Sequence, residues 1–196
     1  MGVLILYVID ATETTKPFCI ICHPKTGSQS TIKALREQLG ARTVHGQHYF
    51  DESECRSIRE EGGIVVCTVR NPWDLTVSWY FYSEYDKRYN GKWPDKKPFL
   101  DWLPNWLKNG NGWVERGFYA VDHCNRIIRF EHNLEKQLNH CLEDCSLPPV
   151  KLDVIGKTEH KHYSRYYDIP SAIAVGRFYA DEINEWGYKF ETSEST

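Results

Sequence analysis

Ile64-Val65-Val66-Cys67-Thr68-Val69 is a run of six uncharged residues, mostly β-branched, with no alternation of apolar and polar positions. A strand with one wet face alternates, so a strand that does not is covered on both faces, as in the middle of a parallel sheet. The run leads into Arg70-Asn71-Pro72, and Trp73 to Tyr82 then reads as a helix with Asp74 in its first turn. Such a strand needs neighbours and helical cover, and the rest of the chain supplies both. Val3 to Ile9 and Phe18 to Cys22 read as strands, and Ile32 to Leu39 as a helix stopped by Gly40. Ala41 to His45 reads as a short strand, and Phe99 to Leu107 as a helical patch. Arg126 to Phe130 reads as a strand, Leu134 to Leu142 as a helix, and Ser171 to Trp186 as one long amphipathic helix closed by Gly187. Strands alternating with helices predict an α/β fold, a three-layer parallel β-sheet flanked by helices. No repeat or Pro/Gly linker divides residues 1–196, so a single domain is expected, with an irregular variable segment at about 83–117.

With 196 residues, the chain can bury roughly 70% of the surface its unfolded form exposes, enough for a core without staples. The formal net charge of −3 excludes a general nucleic-acid binder, because polyanion affinity needs many Lys and Arg, so any anion site is local. The seven cysteines are an odd set with no secretory leader ahead of them. Cys19 and Cys22 lie inside an apolar run, Cys141 and Cys145 lie on a helix, and neither pair has a His at zinc-finger spacing. Reduced, buried thiols are expected, and no metal. Val3 to Ile9 is too short to span a bilayer, and Leu6 stands where a myristoylation signal needs Ser or Thr. The expectation is a cytoplasmic protein without membrane attachment.

His23-Pro24-Lys25-Thr26-Gly27-Ser28-Gln29-Ser30-Thr31 joins a strand to a helix, where unpaired N–H groups and the helix dipole favour an anion. Gly27 lets the backbone approach a ligand, and Ser28, Ser30 and Thr31 offer hydroxyls. Lys25 precedes the only glycine, so this is not a Walker A loop. The order P-K-T-G-S with a following Ser/Thr and helix resembles the 5′-phosphosulfate loop of the sulfotransferase family, relatives of the nucleotide kinases. Taken alone, the segment also suits an ordinary helix cap with a nearby Lys.

Three further segments carry the same resemblance. Val69-Arg70-Asn71-Pro72-Trp73-Asp74-Leu75-Thr76-Val77-Ser78-Trp79-Tyr80 is similar to the family's 3′-phosphate segment, with Arg70 at a strand end and Ser78 about two helical turns on. Arg supplies a planar fork for phosphate oxygens and Ser a short hydroxyl. Pairing of Arg70 with Asp74, and of Ser78 with its own backbone, is the structural alternative. Arg129-Phe130-Glu131-His132-Asn133-Leu134 resembles the family's R-Y-E-D-L strand end, which implies Phe130 beside adenine. The stretch from Gly156 to Asp168 resembles the basic closing loop of carbohydrate sulfotransferases, with Lys157, Lys161 and Arg165 as its cations.

The resemblance implies a P-loop nucleotide-kinase-like scaffold that takes 3′-phosphoadenosine 5′-phosphosulfate as co-substrate, without a metal. It would move the sulfuryl group to an acceptor hydroxyl, of a saccharide on the C-terminal likeness, and release 3′-phosphoadenosine 5′-phosphate. Lys25, Thr26, Gly27, Ser28, Gln29 and Ser30 would hold the 5′ end, and Arg70 and Ser78 the 3′-phosphate. Lys25 is also the expected catalytic cation, and His48, ahead of His45, the expected base, with Glu52 and Glu54 behind them. Trp93, Trp102, Trp106 and Trp113 are candidates for stacking on sugar rings. Two alternatives stay open: a kinase-like phosphotransferase, which would need a Mg²⁺ site and a Lys within the glycine loop, and a noncatalytic nucleotide-binding module.

Overall fold

The computed structural model describes residues 5–44, 52–85, 97–109, 120–157 and 160–192. In chain order the elements are β1 (Ile5–Ile9), β2 (Phe18–Cys22), α1 (Ser28–Leu39), β3 (Arg42–Val44), α2 (Glu52–Glu60) and β4 (Ile64–Val69). There follow α3 (Pro72–Tyr85), α4 (Phe99–Asn109), β5 (Arg126–Arg129), α5 (Leu134–Asp144), a short 3-10 turn at Tyr163–Tyr166, α6 (Ile169–Phe178) and α7 (Ala180–Trp186). They fall into two compact units, Met1–Arg70 with Glu115–Gly156, and Asn71–Val114 with Lys157–Thr196.

The first unit holds the whole sheet, in the order β3-β1-β2-β4-β5. Both unalternating runs are buried at every position, as their composition requires. β2 pairs in parallel with β4, Phe18 opposite Ile64, and β4 in parallel with β5, Val66 opposite Arg126. β1 runs antiparallel to both β2 and β3, so the sheet is mixed rather than all-parallel. Only Asp10 to Pro17 joins β1 to β2, too few residues for the crossover of a dozen or more that parallel neighbours need.

Side-chain alternation then sorts the core into two layers. Phe18, Ile20, Ile64, Val66 and Ile128 face α1 and α5 through Leu35, Leu138 and Leu142. Cys19, Ile21 and Val65 face α2 through Cys55 and Ile58. Helices therefore cover both faces. All seven cysteines are free thiols, six of them buried.

The second unit is built on aromatic contacts. Asn71 caps α3, its Oδ1 accepting from Trp73 N at 3.1 Å. Trp73 Nε1 donates to Ala172 O at 2.8 Å, and Tyr167 OH donates to Trp73 O at 2.9 Å, which ties α3 to α6. Tyr80 packs edge-on against Phe99 and Trp102, at 5.4 and 5.3 Å between ring centroids. Trp102 stacks on Trp106 at 5.3 Å, and Trp106 tilts against Trp79 at 5.5 Å. These two expected sugar-stacking rings are thus packed against other rings, and Trp93 and Trp113 lie outside the described residues. The single closing helix expected from the sequence is two helices, because Tyr179 leaves helical dihedrals at φ −106°, ψ 30°. Among the described residues, no helix is long and apolar enough to cross a membrane.

Candidate functional site

The end of β2 runs into a loop whose conformation is set by two residues in the left-handed region, Lys25 at φ 68° and Gly27 at φ 78°. For glycine this costs little, but for lysine it stores roughly 1–2 kcal/mol of backbone strain. The loop is held from below. Thr26 Oγ1 donates to His23 O at 2.8 Å and shares a 2.6 Å hydrogen bond with Thr68 Oγ1 of β4, so this hydroxyl braces the loop. A Cβ at position 27 would come within 2.6 Å of Leu134 Cδ2 and 3.2 Å of Phe130 Cε2, so the backbone there lies directly on the β5–α5 turn.

Gly27 is the N-cap of α1, which starts at Ser28, earlier than the apolar spacing suggested. With glycine at the cap, no side chain bonds the first turn, and that turn carries no acidic residue. The helical ladder begins with Thr31 N donating to Gly27 O at 3.1 Å, so the amides of Ser28, Gln29 and Ser30 have no acceptor within the helix. Thr31 is 1% exposed, and among the described residues its hydroxyl has no hydrogen-bond partner.

Two cations meet at the loop. Arg70, at the end of β4, donates from its guanidinium to Lys25 O at 2.6 Å and lies over the Phe130 ring, 4.4 Å from the centroid. Burial, and then the like charge of Arg70, push the Lys25 ammonium down to about 8. His23 is pushed down to about 4 by burial and is neutral at physiological pH.

Of the expected site residues, Lys25, Thr26, Gly27, Ser28, Gln29, Ser30, Arg70 and Phe130 gather here. The face of Phe130 carries the Arg70 guanidinium. Ser78, Lys157 and Lys161 belong to the second unit, where Ser78 is buried on α3 and both lysines are exposed. His45 and His48, the expected bases, lie outside the described residues. Glu52 and Glu54 open α2, a helix the sequence reading did not anticipate, and Glu54 pairs with Arg42. Gly156, which opens the stretch likened to a closing loop, and Ile155, which was not expected there, reach the first turn of α1 at Gln29 and Ser30. Among the described residues no three His, Cys, Asp or Glu side chains gather as a metal site. No protein-family model matches the chain, and no curated protein matches it.

Proposed function

We propose that this chain is a sulfotransferase, on a P-loop nucleotide-kinase-like scaffold, moving the sulfuryl group of 3′-phosphoadenosine 5′-phosphosulfate to an acceptor hydroxyl of a carbohydrate. Charge carries this reading. Lys25 and Arg70 converge on one loop at the positive end of α1, and burial first, then repulsion by Arg70, lowers the Lys25 pKa to about 8. An anion seated on that loop would relieve the repulsion and accept from the amides of Ser28 to Ser30. The placement of Lys25 before Gly27, rather than within a Walker A loop, favours the phosphosulfate donor over ATP.

In the proposed reaction the acceptor oxygen attacks sulfur in line, forming an O–S bond. The bond from sulfur to the bridging phosphate oxygen breaks, and 3′-phosphoadenosine 5′-phosphate leaves. Lys25, mostly protonated at pH 7, neutralises charge growing on that oxygen, while the first-turn amides hold the 5′-phosphate. The acceptor proton passes to a base, for which His48 and then His45 remain the candidates. Positioning and electrostatics do most of the work, as in phosphoryl transfer.

The test is turnover with a sulfur-labelled donor across a panel of saccharide acceptors, with Lys25→Ala as the comparison. Turnover should fall by on the order of 10²-fold or more in the variant, the loss seen when one donor to a developing oxyanion is removed. A folded Lys25→Ala protein with near-normal turnover refutes the role of Lys25. A melting temperature that 3′-phosphoadenosine 5′-phosphate leaves unchanged refutes the reading as a whole.

A further inference from the structure

After α5 the chain passes through residues 148–157 without helix or strand, yet polar side chains hold it along α1 and α5. The Asn139 amide grips Val150 twice, donating to its carbonyl at 2.9 Å and accepting from its N–H at 2.8 Å. Gln38 does the same to Lys151, donating to O at 2.8 Å and accepting from N at 3.0 Å. Glu135 accepts from Leu152 N at 2.8 Å, and Lys33 pairs with Asp153 at 2.7 Å. Finally Ile155 N donates to Ser30 Oγ at 3.1 Å, and Gly156, at φ 67°, turns so close to Gln29 that a Cβ would lie 2.8 Å from its Oε1.

On α1 the partners descend, Gln38, Lys33, Ser30 and Gln29, while on the strap they ascend from 151 to 156, so the strap runs antiparallel to the helix. The nine residue steps from Gln29 to Gln38 rise about 14 Å, and the five steps from Lys151 to Gly156 span roughly 17 Å when stretched out. The strap is therefore close to fully extended, and a slip of one residue would carry Ile155 N about 3.3 Å away from Ser30. Val150 is buried and Leu152 packs on the core, but beyond them Val154 is 82% exposed. Polar contacts hold the last part at Asp153 and Ile155.

We propose that this strap is a positioning device for the anion site, with Gln38 setting the register that delivers Ile155 N–H to the Ser30 hydroxyl. The inference rests on the reading of the α1 loop as an anion site. A serine hydroxyl has one proton to donate and two lone pairs. With one lone pair engaged by Ile155, the proton is left to point at a bound anion, and the accepted bond makes it a better donor. Gln38 is exposed and about 12 Å from Ser30 along the helix axis, so it acts only through the strap.

The experiment compares the wild type with Gln38→Met, which keeps the bulk and loses both bonds, and Gln38→Glu, which keeps the acceptor for Lys151 N–H. Inorganic phosphate is titrated while the amide signals of Gln29, Ser30 and Ile155 are followed by NMR, and hydrogen exchange at Ile155 is measured in the free proteins. In the wild type the three amides should shift together. In Gln38→Met, Ile155 should lose protection and phosphate affinity should fall on the order of tenfold, the worth of a hydrogen bond to a charged group, with exchange in the sheet unchanged. Gln38→Glu should fall between the two. Equal affinity in wild type and Gln38→Met overturns the inference, as does a wild type whose Gln29 and Ser30 amides ignore phosphate. If phosphate binding depends on Gln38 but 3′-phosphoadenosine 5′-phosphate does not bind, the strap's role stands and the sulfotransferase reading fails.

Discussion

Nucleotide affinity should fall as pH rises above neutrality, with Lys25 as the cause. Its ammonium is pushed from an ordinary value of 10.5 to about 8, by burial first and Arg70 second. A phosphate seated against the ammonium returns the pKa toward its ordinary value. Because the ligand raises the pKa, affinity is greatest below pH 8 and is lost as pH climbs through the empty-site value. With full restoration, affinity at pH 9 is about one-tenth of that at pH 7, and binding at pH 9 takes up about 0.9 proton. The second ionisation of phosphate, near pH 6, adds little in this window. Isothermal titration of 3′-phosphoadenosine 5′-phosphate at pH 7 and 9, in two buffers of different ionisation enthalpy, reads both quantities. Lys25→Arg should abolish the dependence, since a guanidinium stays charged throughout. An affinity flat from pH 7 to 9, or a decline that persists in Lys25→Arg, would refute the reasoning.

Two further outcomes concern stability. Gly27→Ala should destabilise the fold by about 1–3 kcal/mol in urea titration, combining a left-handed φ with a Cβ 2.6 Å from Leu134 Cδ2. An unchanged midpoint would show that the loop is not held in that conformation. Glu182 is 7% exposed on α7, and burial raises its carboxyl pKa. A raised folded-state pKa means stability that is complete in acid and lost as the group ionises, so Glu182→Gln should melt a few degrees above wild type at pH 7. The gap should close below the ordinary carboxyl value of 4.5, and a gap of the same size at both pH values would contradict the assignment.

What the residues disclosed beforehand, and what they hid, follows from how far each signal reaches. Runs with no polar position, Phe18–Cys22 and Ile64–Val69, announce covered strands, because no other environment suits them. The turn of β1 was also legible: Asp10 to Pro17 is too short for a crossover, and weighing that length would have predicted the antiparallel pairing. α2 stayed hidden because Glu52–Glu60 buries only Cys55 and Ile58, three residues apart on an otherwise charged segment. Ser28 to Thr31 read as loop since hydroxyl residues favour turns as much as first helical turns. In the site, Lys25, Gly27 and Arg70 stood at two strand-to-helix junctions, and the family resemblance, not spacing, grouped them. The seat of Phe130 under Arg70 and the bond from Ile155 to Ser30 span 60 and 125 positions respectively, and no local pattern encodes them.

The order of the strands bears on how the chain is made. β3, β1 and β2 are neighbours in the sheet and all come from residues 5–44, so during synthesis this half can pair as soon as it leaves the ribosome. β4 joins some twenty residues later, and β5, with Phe130 behind it, only after about 60 residues more have emerged. The nascent protein thus carries its Lys25 loop well before the ring that Arg70 rests on exists, and until then one flank of β4 lies open. Birth of this molecule is therefore asymmetric: an early half-sheet waits, exposed along a single seam, for the segment that will close it.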